Sequence, residues 1–461
     1  MIKMKFDFSN ILSENVENGL SRNELISSEE LIDEVKNNIL GKMNSEYFAL
    51  KLPGVMLNEI TEIETYARYI QSNFENFVVV GMGGSSLGNE MLHFGLKGIY
   101  YNLINKPKMY FLDNIDPEST LTLLNSLDLV KTVFNIITKS GDTTETLQNF
   151  LLIVQELKKR NLDLNEHLVF TTDPKKGFLR KNSEKLNVKT FPIYSLVGGR
   201  YSVLSYVGLL SAAVEGIDVR ALLQGAHEFQ KSISEIKANQ NPSFLFSLFQ
   251  YLLLKKKRIR TTVLFSYSDG LRYLGEWYIQ LLAESIGKRY SRTRKEIFSG
   301  ILPFSARGAS DQHSVLQLFI EGPADKLFVF ICPEQYRFDN MISSDVPFEV
   351  DNLKHLLNKK YSELIINECK ATKASLSMSN RTNMSIVLKR IDEFELGKLI
   401  YFLELSVISL GELLNVNPID QPAVELGKRL TYGLMGKENF VHEKELLMKT
   451  DEESVKFELE F

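Results

Sequence analysis

Short apolar runs that stop in polar loops, each followed by apolar positions at helical spacing, recur along this chain. Thr132–Ile137 is such a run. It ends in Thr138, Lys139, Ser140, Gly141, Asp142, Thr143 and Thr144, and a helical period follows over Thr146–Leu157. This is the pattern of a buried strand feeding a polar loop and a helix. Phe77–Val80, Met109–Leu112, Leu168–Thr171 and Thr190–Ile193 read as further strands, separated by helical stretches such as Glu118–Leu124. The alternation predicts an α/β fold, a parallel sheet flanked by helices that binds ligands at the carboxyl ends of its strands. An apolar helix is expected over Val203–Val214. The alternation then restarts beyond Ala221–Phe229: Thr261–Tyr267, Leu327–Cys332, Glu363–Glu368 and Ser385–Lys389 read as strands, and Leu271–Gly287 and Gly397–Leu414 as helices. Residues 1–60 are charged and mostly helical in pattern, with Ser28 placed to cap a helix whose inner face holds Ile32, Val35 and Ile39. The expected division is 1–60 as a helical extension, 61–215 and 216–415 as two similar α/β units, and 416–461 as a helical C-terminal segment.

Composition narrows the classes without naming one. The 461 residues are 44% hydrophobic and 24% charged with net charge −4, an ordinary globular balance with length for two or three domains. There is no basic excess to mark a nucleic-acid partner, and the short run Lys255–Arg260 reads as a solvated helix end. No apolar run reaches about 18 residues, so no membrane span is expected, and the opening MIKMKFDFSN lacks a signal-peptide pattern. A cytoplasmic, reducing location is expected. Cys332 and Cys369 match neither a disulfide framework nor a zinc spacing, and Cys332 reads as a small core residue.

The loops carry the candidate chemistry. The stretch TKSGDTTET offers hydroxyls, one cation and a flexible glycine at the amino end of a helix, the parts that hold a phosphate dianion; it reads equally as a connection rich in capping residues. GMGGSSLGNEML follows the Phe77–Val80 run, with Gly81, Gly83, Gly84 and Gly88 bracketing Ser85 and Ser86. Its third glycine position is taken by Ser86, so it is no dinucleotide fingerprint, and it has no Walker lysine. In VGGRYSVLS, Gly198 and Gly199 let Arg200 project from a sharp turn. Gln280 and Glu284 share a helix face at i, i+4. Apolar neighbours would desolvate Glu284 and suit it to act as a base, while the plainer reading pairs it with Lys288. His313 lies in GASDQHS, where Asp311 or Ser310 is placed to cap a following helix. In DQPAVELGK, Pro422 opens a helix with Gln421, Glu425 and Lys428 on one side.

Taken in order, GMGGSSLG, TKSGDTTET, VGGRYSVLS, QLLAES, GASDQHS and DQPAVELGK resemble the phosphoglucose isomerase family across residues 81–428, in its shorter bacterial and archaeal form. The resemblance implies two sugar-isomerase (SIS) domains and a homodimer that shares its active site. It also implies aldose–ketose isomerisation of glucose 6-phosphate and fructose 6-phosphate through ring opening and an enediolate, without metal or organic cofactor. On it, Ser85, Thr138, Lys139, Ser140 and Thr143 would hold the phosphate, with an amide of Gly84 or Ser85 near the sugar. Glu284 would be the base, Arg200 would stabilise the enediolate, and Gln280 and Gln421 would line the sugar. His313, from the partner subunit, and Lys428 would open the ring. Thr138 stands where the family often has Ser, and Asp142 puts an acid in the phosphate loop, where it is expected to face away or cap the helix. Two competing readings are a sugar-phosphate-binding regulator, which has no need of Glu284, Arg200, His313 and Lys428 together, and an isomerase that accepts mannose 6-phosphate.

Overall fold

The computed structural model describes residues 4–141 and 143–460. Residues 1–418 form one compact unit and residues 419–461 a second, small one. In the larger unit, β1 (Lys5–Asp7) precedes the helices Glu29–Lys42 and Leu52–Asn73. The chain then builds a five-stranded sheet from β2 (Asn76–Val80), β3 (Lys108–Leu112), β4 (Thr132–Thr138), β5 (Leu168–Thr172) and β6 (Lys189–Pro192), in the order β3-β2-β4-β5-β6. Every neighbouring pair is parallel. β2 and β4 are buried along their whole length, as strands covered by helices on both faces must be. Val78, Val80, Phe134, Ile136, Phe150, Ile153 and Phe170 form the core of this half.

The second sheet contains β7 (Thr261–Ser266), while β8 (Lys288–Tyr290) and β9 (Glu296–Ser299) pair apart as a hairpin. β10 (Leu302–Arg307), β11 (Lys326–Gln335) and β12 (Asn383–Arg390) complete the order β1-β12-β11-β7-β10. All its pairs are parallel except β1 against β12. The fold is thus α/β with two mainly parallel sheets.

Several local expectations are corrected. Glu363–Glu368 is not a strand but part of the helix Tyr361–Met378. The run Leu364-Ile365-Ile366 has strand composition. The Lys360 amide nevertheless donates to the Glu363 carboxylate at the helix start (2.9 Å), and Cys369, Thr372 and Leu376 bury one face at helical spacing. The apolar helix expected from Val203 begins at Tyr206, because the Ser205 hydroxyl caps the Val207 amide. β1 lies in the stretch read as mostly helical, and β8, β9 and β10 were not anticipated. β10 is an edge strand whose alternating exposure and Pro303 weaken its signal. Ser28 stands at the start of its helix, but its hydroxyl donates backwards to the Glu24 carbonyl (2.8 Å) and does not cap. Cys332 and Cys369 are joined as a disulfide between β11 and the helix Tyr361–Met378. Their spacing gave no sign of it, since the pairing depends on how that helix lies against the sheet.

The small unit is a 3-10 turn, Pro422–Val424, then helices Glu425–Leu434 and Val441–Glu453. Arg429 pairs with Glu443 between the two helices, and the Tyr432 and Phe440 rings pack 5.0 Å apart. Among the described residues no helix is long and apolar enough to cross a membrane.

Candidate active site

The order of the first sheet places a site before any side chain is considered. The chain steps outward from β2 to β3, then returns to the other side of β2 for β4, β5 and β6. The carboxyl ends of β2 and β4 therefore flank the point where strand order reverses, the place where open parallel sheets leave a crevice. The glycine loop follows β2 and the hydroxyl-rich loop follows β4.

The glycine loop is fixed by close backbone approach. A Cβ on Gly84 would lie 2.2 Å from the Gly199 carbonyl carbon and 2.6 Å from the Arg200 nitrogen. Gly83 has φ +55°, and a Cβ there would meet Gln280 Nε2 at 2.8 Å. These two positions press the loop onto both the Arg200 turn and the helix Arg272–Ile286. Ser85 ends the 3-10 turn Gly83–Ser85, half-buried. Ser86, one residue on, is buried, and its hydroxyl donates to Glu90 at 2.7 Å. Burial pushes the Glu90 carboxyl up to about 7; the Ser86 hydroxyl opposes this, and the charges of Asp113 and Glu276 add to it.

In the loop after β4, the hydroxyls of Thr138 and Thr143 lie 2.8 Å apart. Lys139 Nζ donates to the carbonyls of Ser195 (2.7 Å) and Val197 (2.9 Å), which tethers this loop to the segment leading into Arg200. Burial lowers the Lys139 pKa. Ser140 is exposed. Gly141, with φ +73°, lies where a Cβ would meet the Gly177 backbone at 2.9 Å. The helix begins at Thr144, with Thr143 at the capping position but without a side-chain cap. Asp142 lies outside the described residues.

Arg200 is 1% exposed. Its Nη1 donates to Glu284 Oε2 at 3.1 Å, its Nε to the Ser285 hydroxyl at 2.7 Å, and its Nη2 to the Pro418 carbonyl at 2.5 Å. Tyr201 Oη lies 2.8 Å from the Ser285 hydroxyl. Gln280 Nε2 donates to Glu284 Oε1 at 3.0 Å. The Glu284 carboxylate is thus held on both oxygens, while about a third of the side chain (32%) stays exposed. This corrects two readings of the sequence. Glu284 is not sealed among apolar neighbours, because Leu281, Leu282 and Ile286 point into the core, away from it. Lys288 Nζ reaches the main-chain carbonyl of Glu284, at 2.6 Å. Ser285 and Tyr201, overlooked from sequence, sit inside the same motifs as the residues they support.

The structure therefore brings together Gly84, Ser85, Arg200, Gln280 and Glu284, with Thr138, Lys139, Ser140 and Thr143 on the adjoining loop. His313 is exposed at the end of the 3-10 turn Ser310–His313, which follows β10. Neither Ser310 nor Asp311 caps the helix Leu316–Glu321. Asp311 instead accepts from the Arg307 amide (2.7 Å) and the Ser314 hydroxyl (3.0 Å). In the small unit, Lys428 Nζ donates to Glu425 Oε1 at 2.9 Å, and Gln421 directly precedes the turn that opens the unit. Among the described residues no group of three or more His, Cys, Asp or Glu is arranged to hold a metal ion.

Residues 57–445 match the family described as Phosphoglucose isomerase. A glucose-6-phosphate isomerase of Carboxydothermus hydrogenoformans is 43% identical over 418 residues, covering 89% of this chain and 90% of that one. A solved structure of a hypothetical protein from Thermus thermophilus superimposes with a TM-score of 0.83 at 32% identity, over 94% of this chain and all of that one. A glucose-6-phosphate isomerase structure from Chlamydia trachomatis shares the fold, with a TM-score of 0.75 at 23% identity, over 86% of this chain and 77% of that one.

Proposed function

Because this chain belongs to the phosphoglucose isomerase family and is an enzyme that interconverts glucose 6-phosphate and fructose 6-phosphate, we propose that the crevice between β2 and β4 is where it does so. The phosphate sits on the loop of Thr138, Lys139, Ser140 and Thr143, with Ser85 and the amides near Gly84 facing the sugar. The dianion does not react. Its binding holds the sugar in register, so that affinity far from the reacting carbons lowers the barrier.

Glu284 takes the proton from C2 of the open-chain aldose. The C–H electron pair becomes the C1=C2 double bond, and charge moves onto the C1 oxygen. Returning the proton to C1, as the C2 hydroxyl gives up its proton to form the C2 carbonyl and the C1 oxygen gains one, yields the ketose. One carboxylate serves both steps because C1 and C2 of the planar intermediate present the same face to it. Arg200, always charged and fixed in a nearly dry site, stabilises the oxygen charge; a preorganised donor of this kind contributes roughly 3–4 kcal/mol. Gln280 orients Glu284, and Gln421 lines the sugar. His313 and Lys428 open the ring by moving protons at the ring oxygen and the C1 hydroxyl. His313 comes from the partner in a homodimer. The chemistry uses no metal or organic cofactor, and the enzyme serves glycolysis and gluconeogenesis in the cytoplasm.

The observation that carries this reading is the 3.1 Å contact between Arg200 and Glu284, beside a glycine loop that admits no Cβ. Glu284→Gln tests it. The variant is expected to bind fructose 6-phosphate but to lose exchange of the substrate C–H proton with solvent; persisting exchange rules Glu284 out as the base. Wild-type turnover is expected to survive a strong chelator, and its loss there would reject the metal-free route.

A further inference from the structure

Behind the Arg200–Glu284 contact, hydrogen bonds close into a ring. Arg200 Nε donates to the Ser285 hydroxyl at 2.7 Å, and that hydroxyl lies 2.8 Å from Tyr201 Oη. Tyr201 Oη donates to the Pro418 carbonyl at 3.3 Å, and Arg200 Nη2 donates to the same carbonyl at 2.5 Å. Arg200, Tyr201 and Ser285 are all buried. The protons of the ring can be placed from the donor inventory. A guanidinium only donates and a carbonyl only accepts. Ser285 Oγ must therefore accept from Arg200. Its own proton then has one partner among the described residues, Tyr201 Oη. The Tyr201 proton goes on to Pro418, whose carbonyl oxygen has two lone pairs and takes both donors. With Tyr201 donating to Ser285 instead, the serine proton would be buried without an acceptor, which is the costly arrangement. Burial pushes the Tyr201 hydroxyl up to about 12, against the charge of Arg200, so the phenol keeps the proton that this direction requires.

We infer that Ser285 and Tyr201 are positioning residues for the isomerisation: their one-way ring fixes the plane of the Arg200 guanidinium, so that Nη1 faces Glu284 before substrate arrives. A guanidinium on a flexible stem can swing, and a donor that must reorganise during the reaction stabilises developing charge less well than one already in place. Ser285 directly follows Glu284 in the helix Arg272–Ile286, so a single turn of helix sets both the base and the cation that works beside it. Neither Ser285 nor Tyr201 is assigned a contact with the sugar. The inference rests on the role given to Arg200 above.

The test measures kcat and KM for Ser285→Ala, Tyr201→Phe and Arg200→Met, and for Ser285→Ala and Tyr201→Phe each combined with Arg200→Met, all checked for folding by thermal melting. Ser285→Ala leaves Arg200 Nε without its acceptor. It is expected to lower kcat about 10- to 100-fold, the contribution of one charge-assisted hydrogen bond, with KM within about threefold of wild type. Tyr201→Phe leaves Ser285 able to accept from Arg200 and is expected to lower kcat by only about three- to tenfold. With Arg200→Met already present there is no guanidinium to orient, and either substitution is expected to cost less than about twofold more. Equal losses with and without Arg200→Met would reduce Ser285 and Tyr201 to packing and overturn the inference. So would a change confined to KM, or a loss in Tyr201→Phe greater than that in Ser285→Ala, which would reverse the ring. If Ser285→Ala fails to fold, Tyr201→Phe with and without Arg200→Met decides by the same criteria. Wild-type kcat in Arg200→Met would place the failure in the reading of the site. A strong loss there, with Ser285→Ala and Tyr201→Phe both at wild-type kcat, would sink the ring alone.

Discussion

Replacing Arg200 by Lys keeps the positive charge and removes the fork, so it separates the value of charge from the value of its arrangement. Among the acceptors of the guanidinium, three lie in different directions: Ser285 Oγ at 2.7 Å, Glu284 Oε2 at 3.1 Å and the Pro418 carbonyl at 2.5 Å. A lysine ammonium is one point with rotatable donors and cannot meet all three. Ser285 and Pro418 each retain Tyr201 Oη, at 2.8 and 3.3 Å, so the loss of folding stability is expected to stay near 2 kcal/mol, the cost of about one charge-assisted hydrogen bond. The catalytic loss should be larger. A preorganised donor at a developing oxyanion contributes about 10²–10³ in rate, so kcat should fall by that factor with KM changing little. A coupled assay for glucose 6-phosphate, run well below the melting temperature of the variant, measures it. A kcat within about threefold of wild type would refute the argument. A loss confined to KM would mean that Arg200 binds the ground state and the intermediate alike.

Gly84→Ala should be nearly inactive and less stable, because both sides of the contact are backbone and the 2.2 Å approach to Gly199 leaves no side chain to yield; wild-type kcat and melting temperature would show that the loops part freely. Lys139→Ala should raise KM and lower kcat together, since it removes the cation proposed to hold the phosphate and also the tether to Ser195 and Val197; a change in neither would clear Lys139 of both duties. Glu90 binds its proton more tightly in the folded state than in the unfolded one. Its contribution to stability is therefore complete below about 4.5 and lost as pH rises through about 7. A shift of that size is worth on the order of 3 kcal/mol. Glu90→Gln should flatten that part of the stability profile in urea titrations, and parallel wild-type and variant curves would count against the burial argument.

How far the chain could be read depended on whether a feature is local. The strands β2 and β4 were legible because an apolar run followed by glycines or hydroxyls needs no partner to be recognised. The loops after them fell at the carboxyl ends of strands because alternation of strand and helix makes the sheet parallel, whereas the order that sets β2 beside β4 is visible only in the structure. The surroundings of Glu284 were not legible. The residues beside it in sequence point into the core, whereas Arg200 arrives from 84 positions upstream. The same limit hid β1, which is defined only by pairing with β12, and the Cys332–Cys369 bond, which depends on helix placement. Glu363–Glu368 failed differently: its β-branched run carried a strand signal that tertiary packing of one helix face overrode.

The partnership of β1 with β12 has a consequence for how the molecule is made. Lys5 pairs with Val387 and Asp7 with Ser385, so the flank of the second sheet is sewn shut by a strip synthesised about 380 residues before its mate. During translation that strip must wait, unpaired, while the first sheet and most of the second leave the ribosome. Contacts this distant along the chain form slowly. The border of β12 is therefore the last seam to close, and a nascent chain stalled before residue 383 would present β11 as a naked rim to its neighbours.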